Sequence, residues 1–80
     1  MGDDYMMSEI DAPGLFLGKS IRDLDVRARY RAQILLVRRP SHPADDGRTE
    51  VVPGPDTVIQ RGDRLVVMAR NPDLARLKAL

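Results

Sequence analysis

Two uninterrupted apolar runs, Ile34-Leu35-Leu36-Val37 and Leu65-Val66-Val67-Met68-Ala69, set the frame for this chain. Both are strand-sized, far short of the ~20 residues that cross a bilayer as a helix. Arg38-Arg39-Pro40 bounds the first run and Arg61-Gly62-Asp63 precedes the second. Both therefore read as buried, interior strands of one small sheet. With 80 residues in all, the core under such a sheet is thin, because a domain of this size leaves much of its surface exposed. Chains this small lean on disulfides, metals or association. No cysteine is present, which excludes a disulfide framework, thiolate metal sites and a cysteine nucleophile. A single histidine, His42, cannot build a His-rich metal site. Association with a second copy is what remains.

The rest of the chain sorts around those runs. Residues 1–7 are acidic, unlike a signal or transit peptide, and read as a frayed leader before a domain over residues 8–80; a cytoplasmic location is expected. Ser8 to Asp11 has the look of a short entry strand, ended by the breaker Pro13-Gly14. Ser20 suits a helix N-cap, and Asp23 three residues on suits a capping box, predicting a helix over Ser20–Asp25 with Ile21 and Leu24 on one face. Ala28 would extend that face if the helix ran on. Ala32–Val37 forms the first interior strand. Residues 40–48, with two prolines and Asp45-Asp46-Gly47, form a loop, followed by a strand over Thr49–Val52. Pro53-Gly54-Pro55-Asp56 breaks the chain, Thr57–Ile59 is brief and apolar, and Arg61-Gly62-Asp63 makes a tight turn. After the strand Leu65–Ala69, Asn71 caps a last helix with Pro72 at its first position and Leu74 and Leu77 on its inner face. The order is β-α-β-β-β-α: an α+β domain with a small mixed or antiparallel sheet and two helices on one side.

Charge is nearly balanced, at +1, but unevenly placed. Residues 1–18 carry four acids and no base; residues 19–39 carry seven bases against Asp23 and Asp25. A basic middle in a neutral chain points to a local anion site more than to nucleic acid. On charge alone a solvated, salt-laced face is the simpler reading. The only aromatics, Tyr5, Phe16 and Tyr30, are too few for a base-stacking platform along a strand of nucleic acid.

Several tempting motifs carry no chemistry. Gly18-Lys19-Ser20 spells the end of a phosphate-binding loop, but the glycine required five residues earlier falls at Pro13. A turn glycine and a capping serine account for the tripeptide. Arg61-Gly62-Asp63 spells an adhesion tripeptide, yet it sits between apolar segments as ordinary turn chemistry. Ser41 and His42 are neighbours in a proline-rich loop, which does not orient a nucleophile and its base. The carboxylate pairs Asp3–Asp4 and Asp45–Asp46 lie in segments of loop composition, where Asp45–Asp46 would be a weak divalent-cation site at best. Asp23–Asp25 lies among arginines that keep both ionised. No enzyme is expected, and no metal or cofactor.

The segment Asp25-Val26-Arg27-Ala28-Arg29-Tyr30-Arg31-Ala32-Gln33 differs, because it joins a helix to an interior strand. Arg27 offers a planar fork for phosphate or carboxylate. Gln33 both donates and accepts, which suits a nucleobase edge, and Asp25 can orient Arg27 or accept from a base amine. Alternatively, Arg27 and Arg29 pair with Asp23 and Asp25 on the surface, for about 0–1 kcal/mol. Spacing alone leaves both readings open.

At this segment the chain resembles the TrkA-C (RCK C-terminal) domain of potassium channels and transporters. The likeness rests on Leu17-Gly18-Lys19-Ser20-Ile21-Arg22-Asp23-Leu24, on Asp25 through Tyr30, and on Ile34 through Arg39. It continues through Pro53-Gly54-Pro55-Asp56-Thr57-Val58-Ile59-Gln60-Arg61-Gly62-Asp63-Arg64-Leu65 and closes with Leu74 through Leu80. The resemblance implies a homodimeric, ligand-sensing domain that controls a membrane cation channel or transporter, with no nucleic-acid partner. In a subset of the family the ligand is cyclic di-AMP, bound across the dimer two-fold, so that or another nucleotide is the implied ligand. The residues so implied are Asp25, Val26, Arg27 and Gln33, with apolar support from Ile21, Ile34 and Pro53. Arg27 would take the phosphate; Val26 and Ile34 would pack the base. Two positions depart from the pattern: Arg31 stands where many members have glycine, and Gln33 where the nucleotide binders tend to have asparagine. The 40–48 loop is an insertion relative to compact members. The alternative is a dimerisation or interaction module with no small-molecule ligand.

Overall fold

A computed structural model describes residues 4–41 and 47–80. The chain runs through β1 (Tyr5–Asp11), a 3-10 turn (Gly14–Phe16), α1 (Ile21–Leu24), α2 (Val26–Tyr30), β2 (Gln33–Pro40), β3 (Arg48–Val51), β4 (Arg64–Arg70) and α3 (Asn71–Lys78). The sheet order is β1-β4-β2-β3, with every neighbouring pair antiparallel. The two apolar runs thus occupy the interior strands, β2 and β4, as their composition predicts.

Burial alternates along β4, as helices on one side of the sheet require. Along β4, Leu65, Val67 and Ala69 are buried while Arg64, Val66, Met68 and Arg70 are half-buried. The sheet is covered on one side only, and the buried face of β4 meets Ile10 of β1 and Ile34 and Val37 of β2. Against that face pack Phe16, Leu24, Val26, Ile59, Leu74 and Leu77. A bulge between Ile34 and Leu36 resets the register of β2 against β4, so that both Ile34 and Val37 point into the core although they are three residues apart.

Several element boundaries differ from the expected ones. β1 begins at Tyr5, with Tyr5, Met6 and Met7 paired to Arg70, Ala69 and Met68. Tyr5–Met7, expected in a frayed leader over residues 1–7, instead belong to β1, because β4 offers a full-length partner edge; Met1–Asp3 lie outside the described residues. β2 continues past Val37 through Pro40, since Arg38, Arg39 and Pro40 pair with Glu50, Thr49 and Arg48. His42, Asp45 and Asp46 lie outside the described residues, and the cation-site reading with them. Thr57–Ile59, brief and apolar, makes one isolated bridge, Val58 to Ser20. The last helix starts at Asn71, with Arg70 as its N-cap.

Ser20 caps α1 as its position suggests: its hydroxyl accepts from the Asp23 N–H at 3.1 Å. Ser20→Ala is expected to cost about 1 kcal/mol, read as a fall of about 4–8 °C in a thermal melt. The helix does not run on to Ala28. Asp25 takes a left-handed conformation (φ 47°, ψ 52°), which turns the chain and opens α2 on a new axis.

Behind the sheet lies an ion pair that holds the tight turn. Arg39 donates through Nε to Asp63 Oδ1 and through Nη2 to Asp63 Oδ2, both at 2.9 Å. The Gln60 N–H adds a bond to Oδ2 at 2.8 Å, and Arg39 Nη2 also reaches the Val58 carbonyl. Gly62 takes φ +89°, and a Cβ there would stand 3.2 Å from Pro40. The Asp63 side chain has no exposed surface, so the Arg61-Gly62-Asp63 tripeptide is a structural corner with its carboxylate turned inward.

Candidate functional site

The site is assembled by unsatisfied helix donors. The first N–H groups of a helix have no intrahelical partner. In α1, the Ile21 N–H donates to the Thr57 carbonyl and the Arg22 N–H to the Pro55 carbonyl, each at 2.9 Å. These bonds draw the 53–57 loop across the start of the helix. That loop is itself closed, by the Gly54 N–H to Thr57 Oγ1 (2.9 Å) and the Thr57 N–H to the Gly54 carbonyl (3.1 Å). Pro53 and Pro55 stiffen it further.

On the other wall stands α2. The Asp25 carbonyl accepts from the Arg29 N–H at 2.9 Å, so the left-handed Asp25 both ends one helix and begins the next. The turn drives Val26 into the core and leaves Arg27 exposed. Arg31, also left-handed at φ 56°, closes α2 with its N–H on the Arg27 carbonyl. Ala32 is buried, and the chain enters β2 with Gln33 outward and Ile34 inward.

Between these walls is a cavity of about 420 Å³, a size that suits a small-molecule ligand. Asp25, Val26, Arg27, Gln33, Ile34, Ile21 and Pro53 all line it. Arg22, Ala32, Gly54 and Pro55 complete the lining and were not singled out from the sequence. The Pro-Gly-Pro pattern marked a break, but its proximity to α1 depends on the two N–H bonds just described. Arg22 pairs with Asp56 at 3.0 Å, both side chains well exposed, so this bond contributes little and leaves the guanidinium at the rim. The Arg27 and Arg29 side chains make no ion pair or hydrogen bond among the described residues. The reading in which they neutralise Asp23 and Asp25 is therefore not the arrangement found. The floor is apolar and the rim carries two cations, one carboxylate and one amide: a set that accepts a flat apolar body with anionic groups attached.

The TrkA-C domain family model matches residues 5–80. The chain belongs to the TrkA-C family. Over 78 residues, 98% of its length, it is 32% identical to the Ktr system potassium uptake protein A of Bacillus subtilis (strain 168). This TrkA-C chain spans 32% of that relative's length. Among solved structures it resembles the RCK C domain of the potassium transport protein KtrA in complex with cyclic diadenosine monophosphate. That match has TM-score 0.77 and 27% identity, and covers 95% of this chain and 82% of the other. The GsuK channel bound to NAD matches at TM-score 0.75 and 18% identity, over 94% of this chain and 13% of that one, a likeness of fold. The four-stranded antiparallel sheet with its helices on one face is thus the TrkA-C architecture. Among the described residues no helix is long and apolar enough to cross a membrane.

Proposed function

We propose that this TrkA-C domain is a ligand-sensing regulatory unit of a potassium channel or transporter, working as a homodimer on the cytoplasmic side of its membrane partner. Its ligand is cyclic di-AMP, taken up in the cavity between α1, α2 and the 53–55 loop. One observation carries this reading: all seven residues that the family resemblance associates with the ligand gather on that single cavity. The relative solved with cyclic di-AMP supports the choice of ligand.

The chemistry fits residue by residue. Arg27, exposed and free of carboxylate partners among the described residues, supplies a bidentate, permanently charged fork for a phosphate. Val26, Ile34 and Pro53 offer apolar surface to an adenine face, while Asp25 accepts from its amine and Gln33 reads a polar edge. Gln33 is one methylene longer than asparagine, so its amide meets the ligand further out from β2. A dinucleotide with two equivalent halves suits an isologous interface, where each residue appears twice. Regulation follows from population shift: the bridging ligand favours the dimer geometry it binds better, and only that difference in affinity reaches the membrane partner.

Titration calorimetry with cyclic di-AMP tests this directly. One dinucleotide per two chains is expected. Arg27→Ala should weaken binding by about 10- to 100-fold, the worth of a charge-assisted bond to phosphate. A domain that dimerises yet gives no heat would overturn the ligand and leave a dimerisation module; a domain that stays monomeric with and without the dinucleotide would overturn the homodimer as well.

A further inference from the structure

Behind the wall formed by Arg27, Ala32 and Gln33 is a second hollow, of about 440 Å³, which also takes in Tyr5, Arg31, Met68 and Arg70. We propose that it is a separate binding site for a nucleoside phosphate, with the phosphates held by Arg31 and Arg70 and the base laid against Tyr5 and Met68.

Three guanidinium-bearing residues around one hollow repel one another, and such an arrangement persists at least cost when an anion joins it. Arg70 lies 3.8 Å from Asp73, which moderates its charge. The Arg27 and Arg31 guanidinium groups have no partner among the described residues. Arg31 carries a second sign. At φ 56° and ψ 37° it occupies backbone that glycine adopts freely and a long side chain only under strain. The chain thus keeps a cation where the local geometry favours glycine, and strain of this kind collects at working sites. Arg31 is turned to the second hollow and does not line the first cavity, so its charge does not serve the site described above.

The ligand class follows from the remaining walls. Tyr5 is 60% exposed and directly opposite Arg70 in the β1–β4 register. An aromatic ring beside a guanidinium, with Met68 two residues along β4, presents a flat soft surface next to a cation. A base stacks on the ring while its phosphates meet the arginines. Volume, charge and surface together suit one mononucleotide.

The test is amide-resolved NMR titration of the domain with ADP, adenosine and inorganic pyrophosphate in parallel. ADP should shift the amides of Tyr5, Arg31 and Met68 while leaving Gly54 and Thr57, which belong to the first cavity and its loop, in place. Arg31→Gly should weaken ADP by about tenfold, the loss of one charge-assisted contact. This variant also relieves the backbone strain, so a melt no lower than the parent's excludes misfolding as the cause. Arg70→Gln should weaken ADP as well. Failure of ADP to move the Arg31 and Met68 amides, or equal ADP affinity in Arg31→Gly, would overturn the site. Pyrophosphate as tight as ADP would overturn the nucleotide assignment. None of these outcomes depends on cyclic di-AMP, and Arg31→Gly should bind the dinucleotide as the parent does.

Discussion

Arg39→Ala is expected to destabilise the domain by about 3–5 kcal/mol, the usual consequence of stranding a buried charge. Small domains have only about 5–15 kcal/mol in total, so a melt depressed by well over ~10 °C should be read. The reason is the asymmetry of the pair. Arg39 keeps 24% of its side chain exposed and Asp63 none, so removing the cation leaves a carboxylate that water cannot reach and that retains the Gln60 N–H as a donor. The acid response distinguishes this mechanism from simple loss of packing. In the parent, burial pushes the Asp63 carboxyl up, but the Arg39 hydrogen bonds, the Gln60 N–H and the charges of Arg39 and Arg48 outweigh it, and the group sits below its ordinary value. A folded value below the unfolded one means that the contribution is complete above about pH 4 and fades as pH falls through the folded value. In Arg39→Ala burial, the strongest single influence on Asp63, is opposed only by the Gln60 N–H and the charge of Arg48, and the carboxyl should rise above its unfolded value. The variant should then gain stability on acidification over the range where the parent has begun to lose it. A variant that melts within a few degrees of the parent, or tracks it with pH, would show that Asp63 does not depend on Arg39.

That corner also shows where sequence reasoning stopped. Arg61-Gly62-Asp63 was legible as a turn, because Gly and Asp have local backbone reasons to be there. That Asp63 faces inward is not local: it depends on Arg39, brought into range by β2 pairing antiparallel with β4. Likewise the strands were legible where apolar runs are continuous, and helices on one side of the sheet were expected, but an unbroken run does not say which alternate residues face them. Tyr5–Met7 were hidden for a related reason. A strand at a sheet edge takes its stability from the neighbour's unpaired groups rather than from its own composition. Ser20 and the limits of α1 could be read from capping chemistry. The break at Asp25 could not, because aspartate tolerates the left-handed region without requiring it and announces it far more weakly than glycine does. The seven candidate ligand residues were nameable through a family pattern; Gly54 and Pro55 were not, because backbone bonds from Ile21 and Arg22 that no side chain announces bring them to the cavity.

Phe16→Ala should be nearly as damaging, at about 3–5 kcal/mol, although Phe16 belongs to no strand and no long helix. It is 1% exposed, at the end of the 3-10 turn, with its N–H on the Pro13 carbonyl at 2.9 Å. Its ring meets Tyr30 with centroids 5.7 Å apart and planes tilted by 49°, a geometry that adds about 0.5–1.5 kcal/mol beyond area burial. Tyr30 is the last residue of α2, and α2 has only five residues, too few to be stable without docking. Phe16 therefore anchors the element that carries Val26 and Arg27, from a position outside the cavity. Hydrogen exchange gives this a local readout. The Arg29 and Arg31 amides, bonded to the Asp25 and Arg27 carbonyls, should lose protection in Phe16→Ala by a larger factor than the β4 amides do. Phe16→Leu, which retains most of the buried volume, should cost about 1.5 kcal/mol or less. Protection lost equally in α2 and β4 would mean that Phe16 supports the whole core and has no particular hold on the helix beside the site.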